Sequence, residues 1–472
     1  MGRSAIVLAA GFGTRMKSKL HKVLHPVCGK PMIVHILDQL EKLQLDQILV
    51  VVGQQRESVE EAIAGRAEIA VQNEQLGTGH AVMAAVPQLN SDVNTTVVLY
   101  GDAPLIQAET IERLFLEQEK ENASVVVLTA NVENPTGLGR VFVDESGQIE
   151  KIVEEKDASI SERKHTLINT GIYAFSTNDM LYSLELITPN NAQHEYYLTD
   201  TIRILRDEKK RVISLDVGNV DEIASVNDRL QLSRVEKIYR HRILERLMLS
   251  GVTIIDPETT YVSESVQIGQ DTVIYPGTVL EGNTCVGKDC IIGPNTRLVD
   301  TTVDDGATVT YSVSLSGKVG EGSSVGPFAY LRPGANIGQH VKIGDFVEVK
   351  NSTVDDGSKV SHLAYVGDAS IGKNVNVGCG VITVNYDGKD KHRTVVGDNS
   401  FIGSNVNLIA PISVGEGAYV CAGSTVTDNV PDDGFAIGRA RQVTKPEYVK
   451  RWRAKRVSTE SNGRTAKDVD RR

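Results

Sequence analysis

The chain has 472 residues, of which 40% are hydrophobic and 24% charged, with a formal net charge of −11. This composition excludes a wholly disordered chain and supplies more than one hydrophobic core. The apolar run Ala5–Ala10 is far shorter than the ~18 residues of a membrane span, and it lacks the cleavage pattern of a secretory leader. Charge is uneven: residues 441–472 hold 11 Lys/Arg against 4 Asp/Glu, leaving −18 on the remainder. So acidic a body argues against nucleic acid as the main partner. The five cysteines are Cys28, Cys285, Cys290, Cys379 and Cys421. An odd number without zinc spacing suits a reducing, cytoplasmic setting.

The first half alternates strand and helix patterns. Ser4–Ala10, Gln47–Val52, Thr95–Tyr100 and Ser124–Thr129 are near-continuous apolar runs, as strands buried on both faces would be. Between them, Pro31–Leu43, Ala81–Val86 and Glu109–Glu121 have helical spacing. The alternation predicts a parallel sheet covered on both faces, with ligands beyond the carboxyl ends of its strands. Val220–Ser250 is charged and free of Pro and Gly, predicting a connector helix that stops at Gly251.

Beyond Gly251 the period changes. Residues 251–440 hold 27 of the 42 glycines. An aliphatic residue recurs every sixth position: Val262, Ile268, Ile274, Leu280, Val286 and Ile292. After slips it resumes at Val319, Val325, Leu331, Ile337, Ile343 and Val349, and again from Ile402 to Val426. Small residues such as Ser265, Thr272 and Ala335 fill other recurring places. Hexads of this kind build a solenoid of parallel strands, three to a triangular coil, so ~190 residues make roughly ten coils. The repeat breaks between Val384 and Thr394 (NYDGKDKHR), which predicts a polar loop thrown out from the solenoid.

Two places in the first half carry chemistry. The first strand runs into Gly11-Phe12-Gly13-Thr14-Arg15, with Lys22 following. Glycines at a strand-to-helix turn let the backbone approach a phosphate chain, and the two cations would neutralise it. The turn is neither a Walker loop nor GxGxxG, since Met16 stands at the third glycine place. A later strand runs into Gly101-Asp102-Ala103-Pro104. Asp102 there is either a metal ligand or a helix cap before Pro104.

LAAGxGTR with its following lysine, QLGTGHA and YGD resemble nucleotidyltransferases that join sugar 1-phosphates to nucleoside triphosphates. NPTGLGR (134–140), IVEEKD (152–157), INTGIY (168–173) and EYYLTD (195–200) are similar to the same proteins. FAYLRPGA (328–335), EVKNS (348–352), SHLAYVGD (361–368), VNYDGK (384–389) and IGRAR (437–441) narrow the match. Together these motifs resemble the bifunctional N-acetylglucosamine-1-phosphate uridylyltransferase/glucosamine-1-phosphate N-acetyltransferase family over about residues 4–445.

The resemblance implies a Rossmann-like, mostly parallel α/β nucleotidyltransferase domain (1–228), a connector helix (229–250) and a left-handed parallel β-helix of hexapeptide repeats (251–440). A basic tail (441–472) follows. It implies a UTP site of Leu8, Ala9, Gly11, Gln72, Gly77 and Thr78, with Arg15 and Lys22 on the triphosphate. Gly139, Glu154, Asn169 and Thr199 would hold N-acetylglucosamine 1-phosphate, and Asp102 and Asn227 Mg²⁺. In the solenoid His362 would be the general base for acetyl transfer. Arg332, Lys350, Tyr365, Asn376, Asn385 and Lys391 would bind glucosamine 1-phosphate. Tyr386, Cys379, Ser404, Ala422 and Arg439 would line the acetyl-CoA side. Cys379 stands where the family often has alanine, which puts a thiol near CoA. The family also implies a homotrimer through the β-helix, with Gln442–Lys445 reaching a neighbouring subunit. Ser458–Arg472 is expected to be a solvated end, and Trp452 receives no role.

Two other readings stand beside this one. A single-function sugar-1-phosphate nucleotidyltransferase with a structural β-helix needs neither His362 in its motif nor the loop Asn385–Lys391, and both are present. A non-catalytic binding protein should have lost Arg15, Lys22, Asp102 or His362, and none is missing.

Overall fold

The computed structural model describes residues 2–53, 56–145, 147–191 and 193–461. The chain divides into two compact units, Met1–Leu315 and Ser316–Arg472. Among the described residues no helix is long and apolar enough to cross a membrane.

The first unit is built on a nine-stranded sheet. In chain order its strands are β1 (Gly2–Leu8), β2 (Gln47–Val52), β3 (Glu68–Val71), β4 (Val93–Tyr100) and β5 (Val125–Asn131). They continue with β6 (Gly139–Val143), β7 (Ile149–Val153), β8 (Leu167–Ser176) and β9 (Val212–Asp216). The order across the sheet is β9-β5-β8-β4-β1-β2-β3, with the hairpin β6–β7 attached to β8. Successive residues of β1 enter opposite cores: Ala5 and Val7 face helices Met32–Glu41 and Ala108–Glu121, while Ile6 and Leu8 face Thr78–Ala85 and Thr177–Leu186. Burial on both faces is why these strands show no apolar–polar alternation.

The sheet is mixed rather than uniformly parallel. β8 runs antiparallel to both β4 and β5. Leu167, at the start of β8, pairs with Asn131, at the end of β5, so β8 begins level with the point where β5 stops and runs back beside it. The connector helix also starts later than its composition suggests, at Arg229. Asp228 caps it by accepting from the Gln231 N–H at 2.8 Å, and Val220–Ile223 forms a separate 3₁₀ turn. It ends as expected, with Gly251 at φ 99° just beyond Ser250.

Residues 251–315 of the first unit form stacked coils of short parallel strands, with Ile274 registered on Ile292 and Leu280 on Leu298. The second unit continues this kind of coil by itself, with Ile343 on Val360 and Val377 on Ile402. The aliphatic residues of the hexads point inward and are buried, except Ile268, which is only half-buried. A buried serine or threonine near the corner clips one coil to the next. The Ser323 hydroxyl donates to the Gly338 carbonyl at 2.7 Å and accepts from the Val341 N–H at 2.8 Å. Ser358 does the same with Gly372 and Val375. Bonds of this kind within the stack are what allow polar residues inside so narrow a core; among the described residues the buried Thr394 hydroxyl is an exception, without a partner.

The polar break after Val384 is an extruded loop. Equivalent residues here lie 25 apart, against 17 two coils earlier. Asp387 braces it by accepting from the Lys389 and Asp390 N–H groups, at 2.8 and 2.7 Å, and by pairing with His392 at 2.7 Å. The helix Tyr448–Ser461 runs into the segment expected to be a solvated end. The rest of that expectation, 462–472, falls outside the described residues.

Coil spacing leaves no room at Gly344, where an added Cβ would run into the Ser361 carbonyl of the next coil. Gly344→Ala should therefore destabilise the second unit by about 1–3 kcal/mol, the cost of overpacking. Thermal unfolding of the variant against wild type measures this; an unchanged Tm would show that the coils can separate without penalty.

Candidate active sites

A cleft of about 910 Å³ opens beyond the carboxyl ends of β1 and β4. Leu8, Ala9, Gly11 and Lys22 line it on one side, and Gln72, Gly77 and Thr78 on another. Gly139, Glu154 and Asn169 form its far wall, and Asp102 and Asn227 its end. Two expected residues reach it through others. Arg15 donates to Asn227 Oδ1 at 3.0 Å, and the Thr199 hydroxyl donates to Glu154 Oε1 at 3.3 Å.

Local geometry explains this wall. Gly77 has φ 114°, and an added Cβ would sit 2.6 Å from the Tyr196 carbonyl. Only glycine lets the 195–198 segment dock there, with Tyr196 N–H donating to the Leu76 carbonyl at 2.7 Å and Leu198 N–H to Thr78 Oγ1 at 3.1 Å. Gln72 is buried, with its amide held by the Gly77 carbonyl and His80 at 3.2 and 3.0 Å. Gln75 donates to the Ala10 carbonyl at 2.6 Å and so ties the glycine turn down. Asn169 is positioned by Tyr173, whose hydroxyl accepts from its amide at 2.7 Å. That buried tyrosine had no signal in the sequence beyond the INTGIY motif.

At the end of the cleft Lys22 Nζ is ion-paired with Asp102 and lies 3.3 Å from Asn227 Oδ1. The capping reading of Asp102 is wrong: the next helix starts at Ala108, after Gln107. Among the described residues no group of three or more His, Cys, Asp or Glu is placed to hold a metal ion.

The second unit carries another cluster. Arg332 and Glu348 pair at 2.8 Å. Asp368 is buried and accepts from the Asn351 and Asn385 amides at 2.6 and 2.5 Å, with Lys350 Nζ at 3.9 Å. Tyr365 Oη lies 3.5 Å from the Asn385 amide. Burial opposes the Asp368 charge, but the two amides and the Lys350 and Lys391 ammoniums outweigh it and hold the carboxyl below its ordinary range. Lys391 is pushed below the ordinary lysine range by the adjoining Lys350. Two ammoniums with one shared carboxylate leave an unbalanced positive charge, the condition an anion relieves. His362 Nδ1 lies 2.5 Å from Asp345 Oδ1. Asp345, Glu348, Asn351 and Asp368 are absent from the motif-derived set. Each lies about one coil, 16 or 17 residues, from the residue it meets; Glu348, Asn351 and Asp368 stand inside the quoted motifs, and only Asp345 lies outside them, where the repeat period is the one signal. Cys379, Ser404 and Ala422 follow the inward residues Val377, Ile402 and Val420 at the same corner as His362. Tyr386 is exposed on the extruded loop, Asn376 is partly exposed beside Phe401, and Arg439 is exposed past the last strand.

The MobA-like NTP transferase domain family matches residues 5–166, and the bacterial transferase hexapeptide family matches 265–299 and 393–428. The bifunctional protein GlmU of Geobacillus sp. (strain WCH70) is 51% identical, covering 97% of this chain and 99% of its own. Those of Shouchella clausii (strain KSM-K16) and Clostridioides difficile (strain 630) are 51% and 50% identical, over 95% and 96% of this chain. They are covered over 99% and 98% of their own lengths. Fold and site thus define a nucleotidyltransferase domain joined to a hexapeptide-repeat transferase, whose coils are a left-handed parallel β-helix. The chain belongs to the GlmU family of bifunctional enzymes.

Burial in the cleft wall pushes the Glu154 carboxyl above the ordinary carboxylate range, against an opposing hydrogen bond from Thr199. The folded chain therefore keeps a proton that the unfolded chain releases first. That stabilisation is complete below the ordinary carboxylate range and is lost as pH climbs through the raised value. Glu154→Gln removes the loss, so the variant's Tm relative to wild type should rise between about pH 4 and pH 7. An identical Tm difference at both ends would contradict the burial argument.

Proposed function

We propose that the two clusters divide the synthesis of UDP-N-acetylglucosamine between them. The second unit transfers acetyl from acetyl-CoA to the amine of glucosamine 1-phosphate. The cleft of the first unit then transfers a uridylyl group from UTP to N-acetylglucosamine 1-phosphate and releases pyrophosphate. What carries this reading is the presence, on one chain, of two cation groups suited to phosphate. One is Lys22 with Arg15 beside a glycine turn, and the other is Lys350 with Lys391 in the same unit as His362.

In the cleft, Leu8, Ala9, Gln72, Gly77 and Thr78 face the uridine, with Gly11 giving the phosphates room. Gly139, Glu154, Asn169 and Thr199 hold the sugar. Asp102 and Asn227 offer a carboxylate and an amide oxygen that already converge on one positive charge, the Lys22 ammonium. Hard oxygen donors this few fit Mg²⁺, which takes the rest of its shell from water and substrate phosphates. When bound, the cation offsets phosphate charge. Lys22 and Arg15 neutralise the triphosphate, and the cleft aligns the sugar phosphate with it. A sugar-phosphate oxygen forms its bond to the α-phosphorus of UTP as the bond to pyrophosphate breaks. The attacking phosphate is already an anion, so alignment and charge neutralisation suffice without a protein base.

In the second unit Arg332, Lys350 and Lys391 take the phosphate of glucosamine 1-phosphate, with Tyr365, Asn376 and Asn385 on the sugar. His362 takes the proton from the attacking amine. The new C–N bond forms, the thioester C–S bond breaks, and the sulfur leaves protonated. Cys379, Tyr386, Ser404, Ala422 and Arg439 line the acetyl-CoA side. Hexapeptide solenoids associate through their flat faces, and exposed Phe401, Tyr419 and Phe435 stack on one such face. The assembly is a homotrimer with acetyl sites shared between subunits. Free thiols throughout suit the cytoplasm.

Reciprocal substitution tests the division of labour. Asp102→Ala should lower uridylyl transfer by on the order of 10²-fold or more, as a misplaced phosphate would, and leave acetyl transfer intact. His362→Ala should lower acetyl transfer by roughly 10²–10⁴-fold, the share of a general base, and spare uridylyl transfer from supplied N-acetylglucosamine 1-phosphate. Loss of both activities in either variant, or of neither, would overturn it. Light scattering should give a trimer, and a monomer at micromolar concentration would contradict the shared acetyl site.

A further inference from the structure

Coil stacking aligns one outward corner position into a column. Two residues beyond Ile343, Val360, Val377, Ile402 and Val420 stand Asp345, His362, Cys379, Ser404 and Ala422. Asp345 alone among these has no part in the reading above. It and His362 are register partners on adjoining strands, Lys342–Asp345 and Lys359–His362. Its Oδ1 lies 2.5 Å from His362 Nδ1. The hydrogen bond from His362 holds the Asp345 carboxyl below its ordinary range, helped by backbone bonding and by Lys342 on its own strand. An ionised carboxylate only accepts. Nδ1 must therefore carry a hydrogen, and in the neutral ring that leaves the lone pair on Nε2. Nε2 has no hydrogen-bond partner among the described residues.

We propose that Asp345 is a positioning residue for acetyl transfer: its carboxylate, one coil before His362, fixes the imidazole's tautomer and rotation so that Nε2 meets the amine. The proposal rests on the reading of His362 as base. In the step it serves, the amine nitrogen bonds to the thioester carbonyl carbon and gives its proton to Nε2. The C–S bond then breaks and the sulfur leaves with that proton. Without the carboxylate the ring rotates and both tautomers form, so a fraction of molecules present an N–H to the amine. The substrates lose no partner. The penalty therefore falls on kcat rather than on KM.

The test is steady-state acetyl transfer, with glucosamine 1-phosphate and acetyl-CoA, by the full-length Asp345→Asn, His362→Ala and doubly substituted chains. Asp345→Asn should lower kcat roughly ten- to a hundredfold, the size of effect typical of an orienting outer partner, with both KM values within about twofold of wild type. In the His362→Ala background the same change should cost nothing further. Thermal unfolding checks that Asp345→Asn is folded, which is expected of a pair this exposed. An unchanged kcat for Asp345→Asn beside an inactive His362→Ala would overturn the proposal and leave His362 as base. Equal losses in both backgrounds would show that Asp345 acts through something other than His362 and would also overturn it. Full activity of His362→Ala would remove the base itself and the proposal with it.

Discussion

The site in the second unit depends on one constraint: each coil must set its inward aliphatic residue on the one before it, in register. Ile343 over Val360 and Val377 over Ile402 leave no freedom for one coil to slide on another. A slip by one residue would turn the aliphatic residue out and expose the core. Because the stack is fixed, anything placed at a given step outside the core recurs in a straight column. Asp345 meets His362 for that reason, and Asp368 meets Asn351 and Asn385. The scaffold supplies precision that a loop of the same residues would not have.

The cleft of the first unit solves a different problem with the same economy. A sheet buried on both faces ends in loops, and the loops here are tied by backbone and amide bonds rather than by bulk. Gln75 holds the Ala10 carbonyl, Tyr196 holds Leu76, and Gly77 makes room for both chains to meet. The charged end then needs only a few side chains. Lys22 stands between Asp102 and Asn227, so its ammonium is held in place by two side-chain oxygens.

What the sequence discloses follows from what is periodic or local. The hexads name the inward residues, and their break before Thr394 locates the extruded loop. The glycine turn with Arg15 and Lys22 marks the cleft, because a strand-to-helix turn is built from neighbours in the chain. Strand direction is not local: the apolar run that becomes β8 has no feature telling it to run against β4 and β5. Helicity of Val220–Ser250 is overestimated for a similar reason, since composition does not show that Asp228 caps a helix starting at Arg229. Asp345 is hidden because the hexad pattern draws attention to the residues pointing inward, while it points out.

The central claim is that one chain performs both transfers in sequence, and product analysis with glucosamine 1-phosphate, acetyl-CoA, UTP and Mg²⁺ tests it most directly, omitting one component at a time. The account predicts UDP-N-acetylglucosamine only from the full mixture. Without UTP, N-acetylglucosamine 1-phosphate should accumulate; without acetyl-CoA, no acetylated product should form. Uridylyl transfer from supplied N-acetylglucosamine 1-phosphate with no acetylation of glucosamine 1-phosphate under any condition would contradict it, and would leave the solenoid as a scaffold alone.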